Sequence, residues 1–149
     1  MRGVEKILNT ITQLLAAFVG AMGFALLFGM RRRYLFAASL GALLGWGVYL
    51  LVEWLLGNTF LPSLAAAAFA LSYSEIMAKV LKTPATLFVI PAIIPLVPGG
   101  SLFYTMSCAV HGDLENARLF GTRTGECALA IAAGISIVLA FRELRTKRQ

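Results

Sequence analysis

Apolar residues fill four long runs, and the charges gather between them. Residues 7–30, 34–52 and 54–74 carry no charged side chain, and neither do residues 83–112, where His111 is the one titratable group besides Tyr104 and Cys108. About 20 apolar residues carry a helix across a hydrocarbon core roughly 30 Å thick, and each run has that length. The pattern predicts spans over 7–30, 34–56, 60–81 and 84–110. A fifth, over 124–141, follows if Glu126 sits at the interface. Gly57-Asn58-Thr59 makes a very short turn between the second and third spans. Lys82 ends the third span, and Thr83 and Pro84 have the residue types of an N-cap and a first helical position. Residues 111–123 read as a polar connection. The expected fold is all-α: one membrane domain over 1–149, a five-helix polytopic bundle.

The fourth span is interrupted. Pro91, Pro95 and Pro98 and the pair Gly99-Gly100 lie inside an otherwise continuous apolar run. Pro95 removes the hydrogen bond to the carbonyl of Pro91, and Pro98 removes the one to Ile94. The glycines allow the chain to leave helical geometry. By residue count the break falls near the bilayer midplane, where freed backbone must be buried in protein or line a wet cavity. A second half-helix starting near Ser101 would aim its first amides at an anion such as a carboxylate. The carbonyls of Pro91 and Ile94 would suit a cation such as an α-ammonium. Transporters use discontinuous helices this way. The alternative is a kinked helix packed on a neighbour with no ligand. Gly100, Tyr104, Ser107 and His111 share one face of the second half and could line a polar path; at the outer interface a histidine such as His111 is more often solvated than a proton relay.

Ionisable residues inside spans are functional candidates by default, and each has a plainer alternative. Glu53, on a face with Ser39, Trp46 and Tyr49, could be interfacial. Glu75 has Lys79 four residues on, an ordinary helical ion pair. Glu126 would open the fifth span, where a carboxylate suits a helix N-terminus. Asn9, Thr12, Gln13, Ala16 and Gly20 make a small or polar face of the first span, either interhelical contact or a pathway wall. Gly41 and Gly45 permit close helix approach. Cys108 and Cys127 read as packing thiols.

Composition sharpens this picture. The chain is 149 residues, 59% apolar and 13% charged, with a net charge of +6. Basic residues between apolar spans point to membrane orientation rather than to nucleic acid. With the N-terminus outside and five crossings, the inner side holds Arg31, Arg32, Arg33, Lys79, Lys82, Arg142, Arg145, Lys147 and Arg148, nine in all. The outer side holds four: Arg2, Lys6, Arg118 and Arg123. That excess predicts N-out and C-in. The first apolar run is too long for a signal h-region, so it reads as a retained span. No nucleophile–base pair, phosphate loop or metal-spaced cluster supports an enzyme, and nothing calls for a cofactor.

The stretch VIPAIIPLVPGGSLFYT at 89–105, with its P-x-x-P-G-G-S-x-x-Y core, and AIAAGISI at 130–137 resemble the threonine/serine exporter family. The likeness runs from FALLFGM at 24–30 to the basic tail and is nearest to the family's short, separate membrane subunit. That resemblance implies a bacterial inner-membrane exporter of small hydroxy amino acids, working with a larger polytopic partner. Related split pairs are similar to exporters of the dicarboxylate succinate, so either substrate fits. With no nucleotide-binding motif, the reading is a secondary transporter subunit driven by the proton gradient. Two other readings are a non-transporting assembly or stabilising subunit, and a self-assembling channel.

Overall fold

The computed structural model describes residues 2–146. The side chains of Arg2, Lys6 and Arg145, and all of Lys147 and Arg148, lie outside the described residues, so that part of the charge count is not seen. Among the described residues there are six α-helices: α1 (Arg2–Leu27), α2 (Arg32–Leu56), α3 (Phe60–Leu81), α4 (Thr86–Ile93), α5 (Gly99–Val110) and α6 (Leu114–Thr146), with a 3₁₀ turn, Ile94–Leu96, after α4. Among the described residues there is no strand. Four helices are long and apolar enough to cross a membrane. The α4–α5 pair, bent by 49°, makes a fifth if it counts as one span. An all-helical build is what lipid demands, since a helix satisfies its own backbone hydrogen bonds.

Small residues set the packing. Ala21, Ala25, Ala38, Ala42, Ala66, Ala67, Ala70 and Ala130 are fully buried. Without a hydrophobic driving force between helices in lipid, close backbone approach and dispersion hold such a bundle together. A Cβ on Gly41 would stand 2.7 Å from the Tyr73 ring, and one on Gly45 would touch Ala70 and the Ala92 carbonyl. The Tyr73 hydroxyl donates to the Ala37 carbonyl at 2.8 Å, tying α3 to α2. A Cβ on Gly134 would lie 2.5 Å from the Leu64 carbonyl oxygen, the closest α3–α6 approach of any glycine. Buried Ser39, Ser63 and Ser74 donate to carbonyls four residues back, which satisfies their hydroxyls within their own helices; Ser63 also lies 3.7 Å from the Cys127 sulfur of α6.

Helix limits differ from the sequence expectation in three places. First, α2 takes Arg32 and Arg33 into its first turn, a position the helix dipole disfavours for cations. Second, α4 starts at Thr86 with Ala85 before it. Thr83 is therefore no N-cap: its amide donates back to Ala78, in the turn where Lys82 adopts a left-handed conformation. Third, the polar stretch before the fifth span is mostly helix. The Asp113 carboxylate accepts the Asn116 amide at 3.2 Å and caps α6. Ahead of it, Gly112 closes α5 at φ +77°, a geometry that favours glycine.

The last helix consequently reaches past the bundle. Cys127 meets Ser63, Gly134 meets Leu64 and Arg142 meets Glu75, so the second part of α6 runs parallel to α3. Residues 114–126 rise about 20 Å ahead of Cys127, whereas α3 begins just before Ser63. This forward part of α6 pairs with α5 in an antiparallel hairpin, with Tyr104 against Phe120 and Thr105 against Gly121.

Candidate functional site

The break falls one step earlier than the glycine pair suggests. Helix α4 tightens into the 3₁₀ turn at Ile94–Leu96, Val97 is extended (φ −63°, ψ 125°), and Pro98 precedes α5. Gly99 and Gly100 are already helical. Two expectations change accordingly. The glycines do not leave helical φ/ψ, and the second half starts at Gly99, not Ser101. The Ile94 carbonyl is also engaged, accepting the Val97 amide at 3.2 Å. The physical reason is that Pro98 disfavours the α region for Val97 before it, so the backbone turns there without help from glycine. What the glycines provide is space: a Cβ on either would meet nothing within 4 Å. At the start of α5 the Gly99 amide turns back to the Val97 carbonyl and the Leu102 amide to Pro98. Those of Gly100 and Ser101 precede any intrahelical acceptor.

Beside the break lies a cleft of about 280 Å³ between α1, α2 and the 3₁₀ turn. Ile94 and Pro95 form one wall, and Gln13, Ala16, Gly20 and Trp46 the others. The small-residue face of α1 thus meets the break directly. The Trp46 indole donates to the Gln13 side-chain oxygen at 3.4 Å and stacks on Tyr49 at 4.8 Å. A second cleft, about 450 Å³, shares Gln13 and continues past Asn9, Leu50 and Trp54 to the end of the bundle away from Arg31. The far wall of the break is anchored: Pro91 is fully buried, and Leu96 clusters with buried Ala66 and Ala67, a group against which Ile131 packs.

The other sequence candidates separate. Ser101 gives its carbonyl to the Thr105 hydroxyl. Tyr104 is half-exposed on α5 against Phe103 and Phe120. His111 closes α5 at the far turn, its Nδ1 2.7 Å from the Ser107 carbonyl, an ordinary helix-end contact. Glu53 is exposed near the end of α2. Glu126 lies in the interior of α6, because the helix begins at Leu114, so it does not serve a helix N-terminus. Glu75 pairs with Arg142 across α3 and α6 at 3.0 Å, where the sequence suggested Lys79. Among the described residues, no carboxylate lines the break cleft. Trp46 as a cleft wall and Arg142 as the partner of Glu75 were not legible locally: the first follows from helix rotation, and the second joins residues 67 positions apart.

Residues 13–141 match the model of the threonine/serine exporter family, ThrE. The chain belongs to that family. It is a transporter family, and the multi-span helical fold of this member agrees with it. No curated protein and no solved structure matches the chain.

Proposed function

We propose that this chain is a subunit of a secondary transporter that exports a small carboxylate-bearing metabolite, a threonine- or serine-like amino acid or a dicarboxylate such as succinate. The observation that carries the reading is the break between α4 and α5, set against the Gln13–Trp46 cleft. The amides of Gly100 and Ser101 receive the substrate carboxylate at the start of α5, Pro98 and Gly99 lead the chain into them, and Ile94 and Pro95 shape the cleft next to it. Tyr104 and Ser107 extend the polar face of α5. Charge distribution supports an N-out, C-in orientation in a bacterial inner membrane. Helix α5 has no buried residue and packs chiefly on α6. That openness supports a larger membrane subunit completing the site.

Efflux of labelled threonine and of succinate from cells expressing both subunits, normalised to inserted protein, tests the reading. Gly99→Val and Gly100→Val should each lower export at least tenfold. Val97→Ile, which changes only exposed apolar bulk, should leave it unchanged. Ser101→Ala should fall between. Because a Cβ at either glycine meets open space, lost export at normal abundance reports on ligand approach rather than folding. Normal export by both glycine variants would sink the site assignment.

A further inference from the structure

At the end of the bundle that carries Arg31, another cleft, of about 370 Å³, opens between the ends of α3 and α6 and the start of α4. Its walls include Glu75, Lys79, Thr83 and Arg142. Lys79 and Arg142 stand exposed at its mouth, and three features mark the cleft. The Glu75 side chain is only 17% exposed and meets Arg142 through Oε1 alone. Lys79 stands one turn beyond Glu75, without an ion pair to it. The Thr83 hydroxyl oxygen is buried and has no hydrogen-bond partner, an arrangement that costs stability unless something else satisfies it.

Thr83 also lines the neighbouring cleft of Phe28, Met30, Arg31 and Leu87. Phe28, Met30 and Leu87 recur in the next one, which ends at Ile90 and Pro91. A string of clefts therefore follows α4 from the charged end to about one turn short of the break.

We propose that the cleft of Glu75, Lys79, Thr83 and Arg142 binds a small zwitterion, an α-amino acid, as a waiting site ahead of the break. The two cations take the carboxylate, Glu75 takes the ammonium, and a turn of the Thr83 side chain brings its buried hydroxyl to the ligand. A dicarboxylate fits poorly, because its second carboxylate would face the sparsely hydrated Glu75. The role as a waiting site rests on the transporter reading above; the binding itself does not.

The test uses the purified full chain in phosphatidylcholine nanodiscs, with labelled threonine and labelled succinate followed by scintillation proximity. Threonine should bind saturably, and succinate at least tenfold more weakly. Lys79→Gln and Glu75→Gln should each weaken threonine at least tenfold, and Glu75→Gln should narrow the gap to succinate. Lys79 has no ion pair to lose, so its variant keeps the test free of a folding defect. Lys82→Gln removes a cation from the same end outside the cleft and should change affinity less than twofold. Wild-type affinity in the Lys79 and Glu75 variants, an equal loss in Lys82→Gln, tighter succinate, or no threonine binding at all would each overturn the assignment. So would loss of threonine binding in phosphatidylglycerol nanodiscs, which would give the cleft to a lipid headgroup. Efflux by Gly99→Val is read separately, so the break could fail while this site stands, or the reverse.

Discussion

The two halves of the interrupted span are built differently. Helix α4 is held among α1, α2 and α3, with Phe88, Pro91 and Ala92 buried. Helix α5 has no buried residue, and Phe103, Met106 and Val110 stand exposed on it. The hinge between them is stiff on the α4 side, because prolines fix φ and Leu96 is wedged against Ala66 and Ala67. On the α5 side it is open. A fixed half can register the break against the Gln13–Trp46 cleft. A lightly packed half can reorient or accept a partner at little cost, since its native contacts to the bundle are few.

The sharpest test of this contrast is a pair of truncations. Phe88→Ala removes a fully buried ring packed edge-on to Tyr34 and should cost about 3–5 kcal/mol. Phe103→Ala, on the exposed α5 face, should stay within about 0.5 kcal/mol. Thermal unfolding of the detergent-purified protein reads both, and equal losses would erase the distinction between the halves.

Glycine substitutions repeat the contrast at lower amplitude. Gly134→Val would drive a side chain into the Leu64 carbonyl and Ala67, and should destabilise by about 1–3 kcal/mol. Gly99→Val meets open space and should leave the melting temperature unchanged while export fails. A stable Gly134 variant would mean that the α3–α6 contact can open without penalty.

The smallest effect belongs to the tip of the α5–α6 hairpin. The side-chain amide of Asn116 donates to Asp113 at 2.7 Å, and with the Asn116 backbone amide it holds the Asp113 carboxyl below its ordinary pKa. A depressed folded value means the cap contributes fully above the ordinary carboxylate range and is lost as pH falls through the folded value. Asp113→Ala should therefore lower the melting temperature slightly at neutral pH, and the difference should vanish in acid. Exchange of the Asn116 amide, followed against pH, checks it directly. An unchanged exchange rate in the variant would show that α6 does not depend on this cap.

Spans, their number to within the bent pair, and the place of the break were legible because each rests on local facts. An uncharged run is long enough to cross lipid or it is not, and proline removes a hydrogen bond wherever it stands. Helical character in residues 114–123 was also present in the sequence, as Gly112-Asp113 followed by Asn116, a stop and a cap obscured by their polarity. The amino-acid order does not encode rotation and tilt. Whether Gln13 faces Trp46, whether Glu75 meets Lys79 or Arg142, and whether Gly99 bends or merely leaves room all depend on how helices settle against one another. Alanine and glycine faces permit several close registers, and the choice falls to long-range contacts such as Gly134 on Leu64 and Gly41 under Tyr73. The sequence by itself determined that this is a membrane bundle with one broken span. Only the tertiary structure decided that the break opens onto the face of α1, and that one of its halves is anchored while the other is not.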